Sequence, residues 1–384
     1  MKTITDSQAL IEAMKSLKHA DFVTVDTEFK RTNTYWPILC LIQIAGPDEA
    51  YIIDPLAKGI SLDSFYEIMA DTNILKVLHA SRQDLEIFYH ENGALPHPVF
   101  DTQIAAMVCG FGDSVGYETL VSQLTKGQVD KSSRFTDWTQ RPLSKQQLNY
   151  AVGDVTHLRV IYEKLAARLE ENGRTTWLAE EMDDLESPST YVTAPKEAWL
   201  RLKTKSNNRR FLGHVQAIAE WREESAQTID VPRNRIMRDD VVMEIAAHPP
   251  HNLDEMKKVR NLPTQALSQK NGVRPLLDRI EAVRQLDEND LPEARLKKKL
   301  PKGIGPTVDL LKVLLKQKCE EEGVAQKLLA NVSDLELLAA DDNADIHALR
   351  GWRKEVFGSD ALALKSGRLA LSVQDNKIIV SARR

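Results

Sequence analysis

The chain has 384 residues, 42% hydrophobic and 28% charged, with a net charge of −5, an ordinary globular mixture long enough for two or three domains. No apolar run approaches the roughly 18 residues that span a membrane, and Met1–Ala20 reads as a polar start followed by an amphipathic helix, without the short apolar core of a signal peptide. Cys40, Cys109 and Cys319 are far apart and form no CxxC pair, which argues against a disulfide framework or a thiolate metal site and sets the expected location as the cytoplasm. In chain order, Phe22–Val25 is β-branched and reads as a strand. Leu39–Ala45 is a longer apolar strand stopped by Gly46-Pro47, and Tyr51–Ile53 follows at hairpin distance, so three consecutive antiparallel strands are expected. A helix over Leu62–Ala70, a strand at Leu75–Leu78, a helix over Asp84–Tyr89, a short apolar step at Val99-Phe100 and a helix over Thr102–Cys109 come next. This alternation reads as an α/β unit on a mixed sheet.

Past about Glu197 the strand pattern stops and amphipathic helices take over, at Leu212–Glu224, Asp240–Ala247 and Val308–Glu321. Glu186–Thr190 reads as a linker, and a second boundary falls near Lys297–Pro301. A weak echo relates Trp221–Ala226 to Lys318–Ala325, each closing a long helix, and suggests two helical modules, the second much diverged. Charge is divided the same way: residues 1–190 carry −11 and residues 191–384 carry +6. An acidic front can hold cations and a basic back can attract a polyanion.

Three groups of residues carry chemistry. In Val23-Thr24-Val25-Asp26-Thr27-Glu28, alternation puts Asp26 and Glu28 on one face of an otherwise apolar strand. Two carboxylates there repel and resist desolvation, and a hard divalent cation such as Mg²⁺ or Mn²⁺ relieves both problems. Tyr150 and Asp154 are four residues apart, on one face of a helix whose apolar stripe includes Ala151, Val155 and Leu158. Asp84 falls in the first turn of a helix that follows a strand, where the helix dipole favours a carboxylate. Taken singly, each has a plainer explanation: a solvated strand end, a surface Tyr and Asp, a helix cap. Asp101, before the next helix, is expected to be a cap.

Together, in this order, Asp26 and Glu28, Asp84, and Tyr150 with Asp154 resemble the tyrosine subclass of the DEDD exonuclease superfamily. The flanks His79-Ala80, Phe100–Gln103, Asp137-Trp138 and Arg141–Leu143 narrow the resemblance to the ribonuclease D family, and Trp221–Pro263 resembles an HRDC domain. The resemblance implies a ribonuclease-H-like mixed sheet with helices over residues 1–190, followed by two all-α HRDC-like modules at 197–290 and 300–372. It implies a 3′→5′ exoribonuclease that hydrolyses RNA to nucleoside 5′-monophosphates, with tRNA precursors and other small structured RNAs as substrates and a monomeric state. It also implies two divalent ions, Mg²⁺ or Mn²⁺, with Zn²⁺ or Co²⁺ as further candidates. Asp26 would bridge them, Glu28 and Asp154 would complete the nucleophile side, Asp84 would hold the second ion, and Tyr150 would orient the attacking water. The runs Lys203/Lys205/Arg209/Arg210, Arg233/Arg235/Arg238 and Lys297–Lys299 are candidate phosphate contacts or plain solvated patches. Trp199, Trp221 and Trp352 are expected to be core anchors. Gly303–Pro306 lacks the ending of a P-loop, and Pro306 suits a helix start. A DNA exonuclease, a non-catalytic RNA-binding scaffold and a structural interaction module are the competing readings; the intact carboxylate set argues against the last two.

Overall fold

The computed structural model describes residues 2–129, 133, 136–262, 272–294 and 300–383. Pro263 and the Lys297–Lys299 run lie outside these residues. The first part of the chain builds a six-stranded sheet in the order β1-β4-β3-β2-β5-β6, from β1 (Lys2–Ile4), β2 (Phe22–Lys30), β3 (Ile38–Ala45), β4 (Ala50–Ile53), β5 (Leu75–Leu78) and β6 (Val99–Asp101). β2, β3 and β4 are consecutive antiparallel strands, as the apolar runs predict. β5 joins β2 in parallel and β6 joins β5 in parallel, giving the mixed sheet. Periodicity misses β1, which lies parallel to β4 and is too short to show alternation.

Helices α1 (Ser7–Leu17), α2 (Asp63–Ala70), α3 (Arg82–Asn92), α4 (Thr102–Val108), α5 (Tyr117–Leu124), α6 (Lys145–Glu171) and α7 (Thr175–Leu185) complete this unit. α6 begins with a capping box between Ser144 and Gln147. It then sends Ala151, Asp154, Val155, Leu158, Ile161 and Leu165 inward, one face of a 3.6-residue period. The expected linker at Glu186–Thr190 is instead fastened to this unit. Glu186 accepts from the Val99 N–H and bonds His97, and the buried Tyr191 hydroxyl donates to the Leu185 carbonyl at 2.7 Å.

The remainder is helical. α8 (Arg209–Ile229) ends at Asp230 in the left-handed conformation and is followed by α9 (Arg233–Ile236), α10 (Asp239–Ala247) and α11 (Leu253–Met256). The helix Gly305–Glu322, which has Pro306 in its first turn, also ends on a left-handed residue, Gly323, and is followed by Gln326–Leu329 and Val332–Ala340. The two series repeat at one constant offset. The sequence echo is therefore real in outline but mis-registered: Trp221 corresponds to Leu314, not to Lys318. The chain closes with an antiparallel hairpin, Leu369–Gln374 with Lys377–Ala382, which the sequence reading did not foresee. Its turn residues Asp375 and Asn376 both have positive φ, the requirement of a tight two-residue hairpin turn.

Both helical series dock on the sheet unit, in different ways. The second shares its core: Val308, Leu311, Leu314 and Phe357 belong to one apolar cluster with Val108, Leu178 and Met182. Trp177 and Trp352 stack at 4.3 Å. Gly110, with φ of 81°, lies so close to the Gly323 carbonyl that a β-carbon would sit 2.3 Å from its oxygen. The first series keeps its own core around Trp221, Ile218 and Ile245, into which the β2–β3 loop inserts Tyr35.

Candidate active site

Because β2 is pleated, Asp26 and Glu28 emerge on one face while Thr27 points to the other. Thr24 donates to the Val155 carbonyl at 2.8 Å and so pins α6 across β2. That contact brings Asp154 to Asp26. One carboxylate oxygen from each of Asp26, Glu28 and Asp154 lies within 4.8 Å of the others, among the described residues the cluster with the spacing of a cation site. Asp84 enters from the first turn of α3, is buried, and accepts a hydrogen bond from Thr27. It stands beside the cluster rather than in it. Burial, with the neighbouring Asp154 carboxylate, holds the Asp26 carboxyl well above the ordinary carboxylate range. Burial, with Asp26, does the same to Asp84, against the opposing Thr27 hydrogen bond. Carboxyls raised by their own crowding are what a divalent cation would neutralise, and an all-oxygen donor set suits Mg²⁺ or Mn²⁺.

Tyr150, one turn before Asp154, gives its hydroxyl to the Asp154 carboxylate. Burial first, then the Asp154, Glu28 and Asp26 charges, push its phenol further above the ordinary tyrosine value. At neutral pH it is a hydrogen-bond donor, not a base. Its ring packs 6.1 Å from Trp138. The loop carrying Trp138 is held by Arg141, which forks onto Asp54 at 2.6 and 2.7 Å and donates to the Cys40 carbonyl.

A cavity of about 370 Å³ opens on this group, lined by Asp26, Tyr150 and Asp154 together with His79, Gln103 and Tyr117; small-ligand pockets begin near that size. Sequence reasoning singled out His79 and Gln103 only as flanking matches and missed Tyr117. Tyr117 donates to the Asp154 backbone carbonyl and lies 5.4 Å from the His79 ring. It opens a short helix whose apolar residues Tyr117, Leu120, Val121 and Leu124 recur at i, i+3, i+4 and i+7; that period was legible as a helix, but nothing in it singles out Tyr117 as a site residue.

Asp101 is the cap it was expected to be, and it also organises the site. It accepts from the N–H groups of Gln103 (2.8 Å) and Ile104 (3.3 Å) at the start of α4. It accepts as well from Ala80 N–H (3.1 Å), Ser81 N–H (2.7 Å) and Ser81 Oγ (2.8 Å). Ala80 has φ of 54°, a conformation that costs an alanine about 1 kcal/mol, and Asp101 holds it there so that α3 can present Asp84. Asp101→Ala strands buried donors worth about 1–3 kcal/mol each. A loss of at least about 3 kcal/mol in urea unfolding is expected, with Asp101→Asn losing less; no change for either would refute this role.

Comparison with known proteins agrees with this geometry. The family described as "3'-5' exonuclease" matches residues 1–170 and the "HRDC domain" matches residues 211–274. The class is therefore a carboxylate-site 3′→5′ exonuclease carrying an HRDC helical module. Ribonuclease D of Nitrobacter hamburgensis is 46% identical over 382 residues, covering 99% of each chain. That of Granulibacter bethesdensis is 47% identical over 378 residues, covering 98% of this chain and 95% of its own. The crystal structure of Escherichia coli RNase D, described as an exoribonuclease involved in structured RNA processing, superposes with a TM-score of 0.80 at 29% identity. It covers 95% of this chain and 98% of that one. The chain belongs to the ribonuclease D family of 3′→5′ exoribonucleases, whose exonuclease domains work with divalent metals. Among the described residues no helix is long and apolar enough to cross a membrane.

Proposed function

We propose that this protein trims the 3′ trailers of tRNA precursors and other small structured RNAs, releasing nucleoside 5′-monophosphates by two-metal hydrolysis, as a cytoplasmic monomer. The observation that carries the reading is the convergence of Asp26, Glu28 and Asp154 within 4.8 Å, with Tyr150 donating to Asp154. Two divalent ions, Mg²⁺ or Mn²⁺, held by Asp26, Glu28, Asp154 and Asp84, would neutralise the scissile phosphate and make water acidic enough to attack at neutral pH.

The chain's own groups do the rest. Tyr150 remains protonated and orients the attacking water toward phosphorus, a positioning role that requires no neutral pKa. As water adds, the bond from phosphorus to the 3′ oxygen of the shortened strand breaks, and that oxygen leaves protonated as the new 3′-hydroxyl. His79, Gln103 and Tyr117 flank the terminal nucleotide. The domains assigned to this work are the exonuclease unit at 1–190, a first HRDC domain at 197–290 and a second, diverged one at 300–372; the constant offset of the two helical series supports the last.

The test is 3′ shortening of a 5′-labelled single-stranded RNA, of matched DNA, and of a tRNA precursor with a 3′ extension, in Mg²⁺ and in EDTA. Metal-dependent shortening of RNA to mononucleotides, absent in Asp154→Ala, is expected. Failure of the intact protein to shorten any of these substrates would sink the reading.

A further inference from the structure

A second cavity, of about 460 Å³, lies on the seam between the exonuclease unit and the first helical series. One wall is the β2–β3 loop, with Arg31 and Thr34; the other carries Arg201, Arg222, Arg233 and Asp239. Four arginines against one aspartate is an unusual lining, and two of the donors there lack acceptors. Arg222 is buried, and its guanidinium bonds the Met237 carbonyl (3.0 Å) and Asp239 (2.7 Å) through one terminal nitrogen, while its Nε finds no partner among the described residues. The Thr34 hydroxyl is likewise buried without a partner among the described residues. A buried orphan donor costs about 1–3 kcal/mol, and both belong to residues that line this cavity, where a small side-chain shift would offer them to an oxygen-rich anion. Carboxylates claim three of the four arginines: Glu86 holds Arg31 at 2.8 and 2.9 Å, Glu223 holds Arg233 and Asp239 holds Arg222, which leaves Arg201, bonded to the Thr193 hydroxyl, as the arginine of this lining with no carboxylate partner among the described residues.

The cavity also lies on a line with the catalytic strand. β2 carries Asp26 and Glu28 and runs out through Lys30 into Arg31. At about 3.3 Å per residue Arg31 is roughly 10 Å beyond Glu28, the reach of a short run of nucleotides. We propose that this seam cavity binds a backbone phosphate of the RNA strand upstream of the nucleotide being removed, with Thr34, Arg201 and Arg222 as its donors. The site would make the first helical module part of the substrate path, and the inference rests on the exoribonuclease reading above.

Binding is measured by fluorescence anisotropy in EDTA, which stops turnover, with 5′-labelled RNA of about 12 nucleotides and with a trinucleotide. Arg201→Gln should weaken the longer RNA several-fold and reduce the slope of log K against log salt by about 0.7, the value for one phosphate contact on a single strand. Thr34→Val, nearly isosteric and neutral, should weaken it about ten- to a hundred-fold, one lost hydrogen bond to a charged group, at unchanged slope. Trinucleotide affinity should hold in both. Equal losses on the trinucleotide, or none on the longer RNA, would overturn the proposal. So would stabilisation by inorganic phosphate that Thr34→Val abolishes while longer RNA binds as before, because the site would then take a free anion. Binding that keeps this length dependence in a protein that shortens no RNA would instead sink the exonuclease reading.

Discussion

Asp26→Asn is expected to raise the melting temperature of the metal-free protein while cutting turnover more than about 100-fold, since even outer partners of metal ligands are worth 10–100-fold. Burial and the Asp154 charge raise the Asp26 carboxyl, and burial and Asp26 raise Asp84. An acid raised on folding contributes stability that is fully present below its unfolded value, about 3.9 for aspartate. That contribution is lost as pH rises through the higher folded value. In EDTA the wild-type melting temperature should therefore fall as pH climbs from about 4 toward neutral, and saturating Mn²⁺ should abolish the fall. Asp26→Asn removes one charge from the crowd, so its curve in EDTA should be flatter and a few degrees higher near neutral pH, the scale of about 1 kcal/mol in a chain this large. A melting temperature in EDTA that ignores pH, or falls in the variant, would mean the carboxylates do not oppose one another. Stability given up for chemistry is the usual mark of an active site.

What the sequence made legible follows distance along the chain. Asp26 with Glu28 and Tyr150 with Asp154 are local pairs, fixed by strand and helix periods, and both lie as expected. The contact that unites them, Thr24 with Val155, spans 131 residues and has no local signature; only the family pattern could link them beforehand. β1 was lost because three residues are too few to show alternation; the closing hairpin was legible and overlooked, since Leu369, Leu371 and Val373 alternate with Ala370, Ser372 and Gln374 ahead of the Asp375-Asn376 turn. The basic runs show a different limit. Arg209 donates to the Asn289 and Leu291 carbonyls, and Arg210 to those of Val283 and Leu286, so two candidate phosphate contacts tie helix ends together. Arg233 is given to Glu223. Composition reports a charge but not which partner, within the chain or outside it, has claimed it. The tryptophan expectation did better: Trp221 and Trp352 are buried anchors, and Trp199 packs at the margin of its core.

The second large effect concerns the joint between the catalytic unit and the first helical module. Tyr35 reaches from the β2–β3 loop into that module and donates to Glu223, which has 0% exposure. Arg233 completes the group, donating to both while lying 4.9 Å over the Tyr35 ring. Asp230 accepts from the Tyr35 and Trp36 N–H groups at 3.0 and 2.9 Å. Burial acts to raise the Glu223 carboxyl, yet the hydrogen bonds from Arg233 and Tyr35 and the Arg233 charge outweigh it, so it lies below its usual value. Its contribution is therefore present above the unfolded value and lost as pH falls through the folded one. Arg233→Ala leaves a buried, unpaired carboxylate. The expected loss is about 3 kcal/mol, the low end for such a pair because the guanidinium reaches solvent on one side. Urea unfolding followed by tryptophan fluorescence measures it. In that variant burial should raise Glu223 instead, so acidification from neutral toward about 4.3, the unfolded glutamate value, should narrow its stability deficit relative to the wild type. Glu223→Gln combined with Arg233→Met should recover more than half of the loss, because no charge remains to be buried. A double variant as unstable as Arg233→Ala would show that packing, not the ion pair, holds the module against the strand that carries Asp26 and Glu28.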